Sequence, residues 1–248
     1  EVEFYRRYGI AAEYVGHPVV DTVRPTLSRA AFYEKHGLRS DRPVISLLPG
    51  SRQTEVEHIL PILARAARAL HARWPAQFLI PLAATIPPEM VWSVLRRALP
   101  HMDLPVRVLE RETYDALAHA DLAVITSGTA TLEAAVLGTP MIVVYRARAI
   151  NYLLVRPLLH LDTFGMVNLL AGERIVPELI QWELTPERLA GTMMELLADP
   201  MRREVMRARL AEVTKRLGEG GAARRAAEII LRVITEADAH RNALSEED

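Results

Sequence analysis

Three residues that could bind a phosphate follow the first strongly apolar run of the sequence. The tripeptide Gly50-Ser51-Arg52 comes soon after the strand-like run Val44–Leu48, and an amphipathic helix is predicted from about Thr54 to Arg73. Thr54 and Glu57 have the spacing of a capping box, which would leave backbone amides exposed just before the helix. Exposed amides and an arginine fork both attract phosphate. The same residues also fit a capped turn with a surface arginine.

The segment Thr126–Glu133 (TSGTATLE) also joins the end of a predicted strand to the start of a predicted helix. Its small residues let a phosphate approach the backbone, and the hydroxyls of Ser127 and Thr129 can donate hydrogen bonds. Glu133 lies about one helical turn after Thr129, where its carboxylate can accept hydrogen bonds from two ribose hydroxyls. The alternative is an N-capped helix whose first-turn glutamate is favoured by the helix dipole. Two such segments in succession favour a ligand site.

Both segments require strands that end at one edge of a sheet. Apolar runs are predicted as strands at 44–48, 77–82, 105–109, 121–125 and from 139 onward. None of them alternates apolar with polar residues, which is typical of parallel strands buried on both faces. Their alternation with helical patterns predicts an α/β fold, a doubly wound Rossmann-like parallel sheet, followed by C-terminal helices near 186–198, 201–217 and 222–238. Ligands of such sheets bind outside the carboxyl ends of the strands.

Composition and missing motifs exclude several classes of protein. The net charge of −1 argues against a nucleic-acid partner, and the absence of cysteine excludes disulfides, cysteine nucleophiles and thiolate zinc sites. The sequence has no P-loop, GxGxxG, HExxH or GxSxG motif, so neither a metal nor a cofactor is predicted. It has no apolar run long enough to span a bilayer, which predicts a cytoplasmic protein. Residues 146–160 (RARAINYLLVRPLLH) predict a partly buried helix or a segment that touches lipid.

Four segments of the sequence occur in a distinctive order, namely LLPGSRQTEVE, SGTATLEAAVLGTPMIVVYR, NLLAGERIVPELIQ and TPERLA. Together they resemble the C-terminal part of bacterial lipid-A-disaccharide synthase, an inverting GT-B glycosyltransferase (family 19). The opening EVEFYRRYGIAAEYVGHPVVD is similar to the interdomain crossing of that family, which ends in GHP. The resemblance implies the C-terminal half of a GT-B fold, and a hexosyltransferase that needs no metal and no cofactor.

The family transfers 2,3-diacylglucosamine from its UDP derivative to 2,3-diacylglucosamine 1-phosphate (lipid X). The products are the β(1→6) lipid A disaccharide 1-phosphate, a precursor of lipopolysaccharide in Gram-negative bacteria, and UDP. The resemblance implies that Arg52 stabilises the departing diphosphate. The donor-binding residues that it implies are Gly50, Ser51, Arg52, Ser127, Gly128, Thr129, Glu133, Asn168, Glu178 and Gln181. By residue type alone, Asn168 suits a turn, and Glu178 and Gln181 suit one face of a helix.

The resemblance also predicts how the chain is divided. Residues 1–40 are expected to be a remnant of the N-terminal domain with the interdomain crossing, residues 41–217 the UDP-sugar donor-binding domain, and residues 218–248 a C-terminal helix with a frayed tail. The resemblance implies an N-terminal domain that binds the acceptor and carries the general base. An inverting transfer needs such a base, and no residue of this chain is assigned to that role. We therefore expect a chain that binds the donor but is inactive alone.

Several expectations concern partners and alternatives. Lipid X would bind through the missing domain, and a homodimer with peripheral contact at the cytoplasmic face of the inner membrane is expected. One alternative is a non-catalytic remnant that only binds UDP. Another is a different UDP-sugar enzyme of the GT-B fold, such as a UDP-sugar epimerase or the related transferase of peptidoglycan synthesis. Preference for a diacylated donor discriminates between these enzymes.

Overall fold

Six parallel strands form one sheet within residues 2–101, 104–146 and 163–245, which are the residues that the computed structural model describes. Their order is β3-β2-β1-β4-β5-β6, and every neighbouring pair is parallel. The strands are β1 (Val44–Leu48), β2 (Gln77–Leu82), β3 (Val106–Glu110), β4 (Leu122–Thr126), β5 (Met141–Tyr145) and β6 (Glu178–Ile180). This is the order of a doubly wound Rossmann-like sheet, so the predicted fold class is confirmed.

The strand β6 was not predicted from the sequence. By residue type, Glu178 and Gln181 suited either one face of a helix or a solvated position, and both alternatives are wrong because the two residues are buried outside any α-helix. Glu178 begins β6, and Gln181 begins the 3-10 turn Gln181–Glu183. Three residues are too few to show a sequence pattern, so pairing with β5, where Val143 lies beside Glu178, defines the strand.

The helices follow the strands in the order expected of βα units. They are α1 (Val2–Arg7), α2 (Val19–Thr22), α3 (Arg29–Lys35), α4 (Gln53–His71), α5 (Pro88–Ala98), α6 (Thr113–Ala118), α7 (Ala130–Val136), α8 (Met166–Ala171), α9 (Pro186–Ala198), α10 (Pro200–Arg216) and α11 (Ala222–Ser245). Helix α11 continues past the end predicted at Asp238. Among these described helices, none is both long and apolar enough to cross a bilayer.

Two groups of helices cover the two faces of the sheet. Adjacent residues of β1 show this, because successive side chains of a strand point to opposite faces. Ile45 belongs to the core cluster that includes side chains of α4, α5 and α9, whereas Val44 packs with Phe32 of α3 and Ala116 of α6. Burial on both faces explains why β1 is apolar except for Ser46, instead of alternating.

The winding of the sheet reverses between β1 and β4. Strands β2 and β3 lie on one side of β1, and β4, β5 and β6 lie on the other. Leu48 at the end of β1 is in register with Ile125, and Thr126 Oγ1 donates a hydrogen bond to the Leu48 carbonyl at 3.0 Å. The segments that follow the two strands therefore begin side by side, about 5 Å apart. Such a switch point is where open α/β sheets bind ligands.

The chain divides into two compact units, one of residues 23–214 and one that joins residues 1–22 to residues 215–248. The sheet lies in the first unit, which also includes residues 23–40. The division into residues 1–40, 41–217 and 218–248, with the origin of residues 1–40 in an acceptor-binding domain, stays a prediction. Residues 147–160 of the segment predicted to be buried or to touch lipid lie outside the described residues.

The second unit is held together by polar contacts between the two ends of the chain. Asp21 accepts hydrogen bonds from the backbone N–H groups of Gly221 at 2.7 Å and Ala222 at 3.2 Å, which caps the start of α11. Arg225 Nε donates to the Val15 carbonyl at 2.9 Å. Val15 and Asp21 are thereby tied to the beginning of α11.

Asp115 anchors the segment before β1 to the sheet. Its Oδ1 accepts the backbone N–H groups of Thr26 and Leu27, each at 2.8 Å, and its Oδ2 accepts the Thr26 hydroxyl at 2.7 Å. Asp115 is almost completely buried. Burial by itself raises the pKa of the Asp115 carboxyl, but the hydrogen bonds from Thr26 and Leu27 outweigh it and hold that pKa below its ordinary value.

We expect Asp115→Asn to lower the free energy of unfolding by about 1–3 kcal/mol at neutral pH, because an amide cannot accept all three hydrogen bonds. The pKa of Asp115 is lower in the folded chain, so its contribution is complete above the unfolded pKa and is lost as the pH falls through the folded pKa. The cost of the substitution should therefore shrink in acid, which urea unfolding at a series of pH values measures. Asp41→Asn, at an exposed aspartate paired with Arg39, is the control and should change stability little. A cost of Asp115→Asn that is independent of pH would contradict this assignment.

Candidate functional site

A cleft of about 620 Å³ opens at the carboxyl ends of strands β1 to β4. It brings together the two segments that the sequence singled out, one after β1 and one after β4. Its lining includes the predicted residues Gly50, Ser51, Arg52, Ser127, Gly128, Thr129 and Glu133. Asn168, Glu178 and Gln181 are not among the residues that line it.

The segment after β1 is held by Glu55, a residue that the sequence analysis did not single out. Glu55 Oε2 accepts the backbone N–H of Ser51 at 3.0 Å and that of Arg52 at 3.2 Å. Glu55 Oε1 accepts a hydrogen bond from Arg52 Nη1 at 2.8 Å. The predicted capping box of Thr54 and Glu57 is therefore wrong. Arg52 is the N-cap of α4, which makes Glu55 the capping carboxylate.

Gly50 makes room for the Glu55 carboxylate. Its φ is +123°, and a Cβ at this position would collide with the Glu55 side chain. The backbone amides of Ser51 and Arg52 are thus already engaged within the protein. The Arg52 side chain, by contrast, is 79% exposed, and its guanidinium keeps further N–H donors for a ligand. The segment after β1 therefore contributes the Arg52 guanidinium to the cleft, and the backbone amides of Ser51 and Arg52 are not available to a ligand.

The segment after β4 contains three hydroxyl side chains, and they differ in whether their protons are already used within the chain. Ser127 Oγ donates a hydrogen bond to the Phe164 carbonyl at 2.8 Å, so the proton of this hydroxyl is engaged within the chain instead of being available to a phosphate. Thr131 Oγ1 donates to the Gly128 carbonyl at 2.8 Å. Thr129 is exposed, and its hydroxyl has no hydrogen-bond partner in the described parts of the chain. Thr129 is therefore the side chain of this segment with a donor available for a phosphate.

Glu133 lies half-buried in the first turn of α7. No described residue donates a hydrogen bond to its carboxylate, and burial raises the pKa of that carboxyl. A carboxylate that has lost water without gaining a donor is suited to a ligand that brings donors with it, such as a diol.

We expect Glu133→Gln to raise the melting temperature of the unliganded chain by about 1–3 °C at neutral pH. The folded pKa of Glu133 is raised, so the contribution of this group is complete below its unfolded pKa and is lost as the pH rises through its folded pKa. The gain should therefore vanish in acid, below the ordinary pKa of a glutamate. Glu34→Gln, at an exposed glutamate of α3, is the control and should alter neither melting curve. A Glu133→Gln variant that is less stable than the parent at neutral pH would rule out the desolvated carboxylate.

Asn168 is fully buried and satisfied by its neighbours in the chain. Its Oδ1 accepts the backbone N–H groups of Ile175 at 2.9 Å and Val176 at 3.0 Å. Its Nδ2 donates to the Val176 carbonyl at 2.9 Å and to Glu178 Oε1 at 2.7 Å. Asn168 therefore fixes the turn between α8 and β6.

Glu178 links this turn to the cleft. Besides Asn168, its carboxylate accepts the backbone N–H groups of Phe164 at 2.9 Å and Gly165 at 2.8 Å. The carbonyl of Phe164 in turn accepts the Ser127 hydroxyl. These contacts make Asn168 and Glu178 supports of the segment after β4, while their direct contact with a donor stays a prediction.

Gln181 is also buried, with a left-handed backbone φ of 55°. This conformation is uncommon for a residue other than glycine and marks the point where β6 turns into the following 3-10 turn. A donor-binding role of Gln181 stays a prediction.

The part of the cleft that follows β2 and β3 was not predicted from the sequence. This part is lined by Ala83, Ala84, Arg111, Thr113 and Tyr114. Their positions after two further parallel strands were the available signal, because all carboxyl ends meet at one edge. Arg111 is exposed, with a left-handed φ of 58°, and its guanidinium has no partner within the described ranges. A left-handed φ is unusual for an arginine, and neither this residue type nor its sequence neighbours indicate it.

The cleft is lined by the exposed cation Arg52, by the Thr129 hydroxyl, and by the Glu133 carboxylate, to which no described residue donates a hydrogen bond. Arg52 can offset the charge of a diphosphate, and Thr129 can donate to it. Glu133 can accept hydrogen bonds from a ribose. In a transfer reaction that releases a diphosphate, Arg52 can stabilise the leaving group as its charge develops. This set of groups suits a nucleoside diphosphate linked to a transferable group.

Comparison with protein families and curated proteins agrees with this chemistry. The sequence model of the family described as Lipid-A-disaccharide synthetase matches residues 1–233. The chain is 43% identical over 240 residues to the lipid-A-disaccharide synthase of Syntrophus aciditrophicus, covering 96% of this chain and 62% of that protein. It is 41% identical over 235 residues to that of Myxococcus xanthus, covering 94% and 60%. The chain thus spans 60–62% of the length of these curated relatives.

Solved structures share the fold at low sequence identity. A glycosyltransferase from Rickettsia africae superposes with a TM-score of 0.62 at 13% identity, covering 94% of this chain and 61% of that one. The UDP-GlcNAc 2-epimerase from Neisseria meningitidis, bound to UDP-GlcNAc, gives 0.59 at 17% identity, covering 88% and 54%. At these identities the likeness concerns the fold, and the family follows from the sequence matches. The chain belongs to the lipid-A-disaccharide synthase family.

Proposed function

We propose that this chain binds UDP-2,3-diacylglucosamine in the cleft and forms the donor side of the transfer to lipid X. The 6-hydroxyl of the acceptor attacks C1 of the donor sugar, and the bond from C1 to the diphosphate oxygen breaks with inversion. The products are the β(1→6) disaccharide 1-phosphate and UDP, and the proton of the attacking hydroxyl passes to a general base. Arg52 stabilises the charge that develops on the diphosphate.

The carboxylates that line the cleft have other roles than that of the base. Glu55 is engaged by the amides of Ser51 and Arg52, and Asp115 by Thr26 and Leu27. We assign Glu133 to the ribose. The base and the lipid X site are therefore supplied by the portion of the family that the 248 residues do not match, and the chain alone binds the donor without turnover. Association as a homodimer and at the cytoplasmic face of the inner membrane belongs to the same proposal.

One observation carries the proposal. The two segments that the sequence singled out converge on one cleft at the switch point, with Arg52 exposed on one side and Glu133 awaiting donors on the other. Family membership supports the identity of the sugar and of the nucleotide.

Titration calorimetry with this chain tests the proposal. UDP-2,3-diacylglucosamine and UDP should both bind, and the diacylated donor should bind more tightly than UDP-N-acetylglucosamine. No binding of UDP would reject the donor site, and a preference for UDP-N-acetylglucosamine would favour an epimerase or a transferase of peptidoglycan synthesis. Turnover of donor and lipid X by this chain alone would contradict the assignment of the base to the unmatched portion.

A further inference from the structure

The side chain of Glu55 accepts hydrogen bonds from three donors of the segment Gly50–Arg52. Its Oε2 accepts both consecutive backbone amides, and its Oε1 accepts the Arg52 guanidinium at 2.8 Å. Hydrogen bonds between charged groups are among the strongest side-chain contacts, and a three-donor arrangement fixes the carboxylate in position as well as orientation.

The two partners differ in how firmly they are held. The side chain of Glu55 is 16% exposed and that of Arg52 is 79% exposed. Glu55 projects from the first turn of the long helix α4, and the amides that it binds belong to the backbone. Glu55 is therefore the fixed partner, and Arg52 is a long solvated side chain that loses rotamer freedom when it binds Glu55.

An exposed ion pair of this kind contributes little to folding stability. Its effect on a ligand is larger, because a guanidinium that is already oriented gives up less conformational entropy when it binds a phosphate. One Nη1 donor of Arg52 is used by Glu55, and the other N–H groups of the fork remain for the ligand.

We infer that Glu55 is a positioning residue that orients Arg52 toward the diphosphate of the donor, an inference that rests on the proposed function. In the alternative role, the Glu55 carboxylate would compete with the phosphate of the ligand for the same hydrogen-bond donors. The two roles predict opposite signs for the loss of the Glu55 charge. A positioning carboxylate strengthens the binding of UDP, whereas a competing carboxylate weakens it.

A double-mutant cycle with Glu55→Gln and Arg52→Ala tests the inference. Glutamine keeps an oxygen that can accept the backbone amides, but it loses the charge that holds the guanidinium. By calorimetry, Glu55→Gln should weaken the binding of UDP about three- to tenfold and should leave the binding of uridine unchanged. In the Arg52→Ala background the same substitution should change UDP affinity less than about twofold, because its target is gone. Glu57→Gln, at an exposed glutamate of the same helix, should leave both affinities as in the parent.

Three results would overturn the inference while leaving the donor site intact. They are tighter binding of UDP by Glu55→Gln, unchanged binding, or an equal loss with and without Arg52. Weaker binding of both UDP and uridine would also overturn it, since that indicates damage to the fold of the loop. Failure of the parent chain to bind UDP would overturn the proposed function together with this inference.

Discussion

Replacing Glu178 by alanine is expected to lower the free energy of unfolding by about 3–5 kcal/mol. The buried carboxylate accepts hydrogen bonds from the backbone N–H groups of Phe164 and Gly165 and from Asn168 Nδ2. Alanine leaves these donors without an acceptor, and each unsatisfied buried group costs about 1–3 kcal/mol. Chemical unfolding monitored by circular dichroism measures the loss.

Glu173→Ala is the matched control for this change. Glu173 lies five residues earlier on the surface, where it forms an exposed ion pair with Arg209. Its loss should cost at most about 1 kcal/mol. Glu178→Gln, which keeps one acceptor oxygen, should fall between the two. A Glu178→Ala variant as stable as the Glu173→Ala variant would show that the buried network does not support the fold.

Replacing Arg52 by alanine is expected to weaken the binding of UDP about 10- to 100-fold, the range for loss of charge-assisted hydrogen bonds. Arg52 is an exposed cation of the cleft, at the N-cap of α4 and beside the ends of β1 and β4. The affinity for uridine, which lacks the phosphates, should fall less than about twofold, because the loss concerns the diphosphate. Calorimetric titration of both ligands separates the two contributions.

Arg68→Ala provides the control for charge and for helix α4. Arg68 is an exposed arginine of the last turn of the same helix and does not line the cleft. Its substitution should leave the affinity for UDP unchanged. Equal affinity of the Arg52→Ala variant and the parent would remove Arg52 from the phosphate site.

Five strands and the main segments of the cleft could be predicted because they depend on simple topology. Strands β1 and β4 each contain four apolar residues and one hydroxyl residue without alternation, so their burial on both faces of a parallel sheet follows from composition. Parallel strands end at one edge, and this alone brings Gly50–Arg52 near Ser127–Thr129. The strand β6 gave no such signal, because its three residues include a glutamate and depend on pairing with β5.

The hydrogen-bond partners could not be predicted, because they depend on details of the backbone path. The N-cap of α4 is Arg52, two residues before the predicted Thr54, and this makes Glu55, and not Glu57, the capping carboxylate. Asn168 and Glu178 could each have faced a ligand by residue type, but the turn between α8 and β6 brings them together. Sequence spacing brought the two segments to one edge of the sheet, but it could not distinguish contact with a ligand from support of a loop.

We propose that UDP is held between the segments that follow β1 and β4. Hydrogen–deuterium exchange of this chain, with and without saturating UDP, tests it most directly. We predict slower exchange in peptides that cover residues 50–56 and 126–133, and no change in peptides from α11. Slower exchange elsewhere, with both segments unaffected while UDP is bound, would contradict the account.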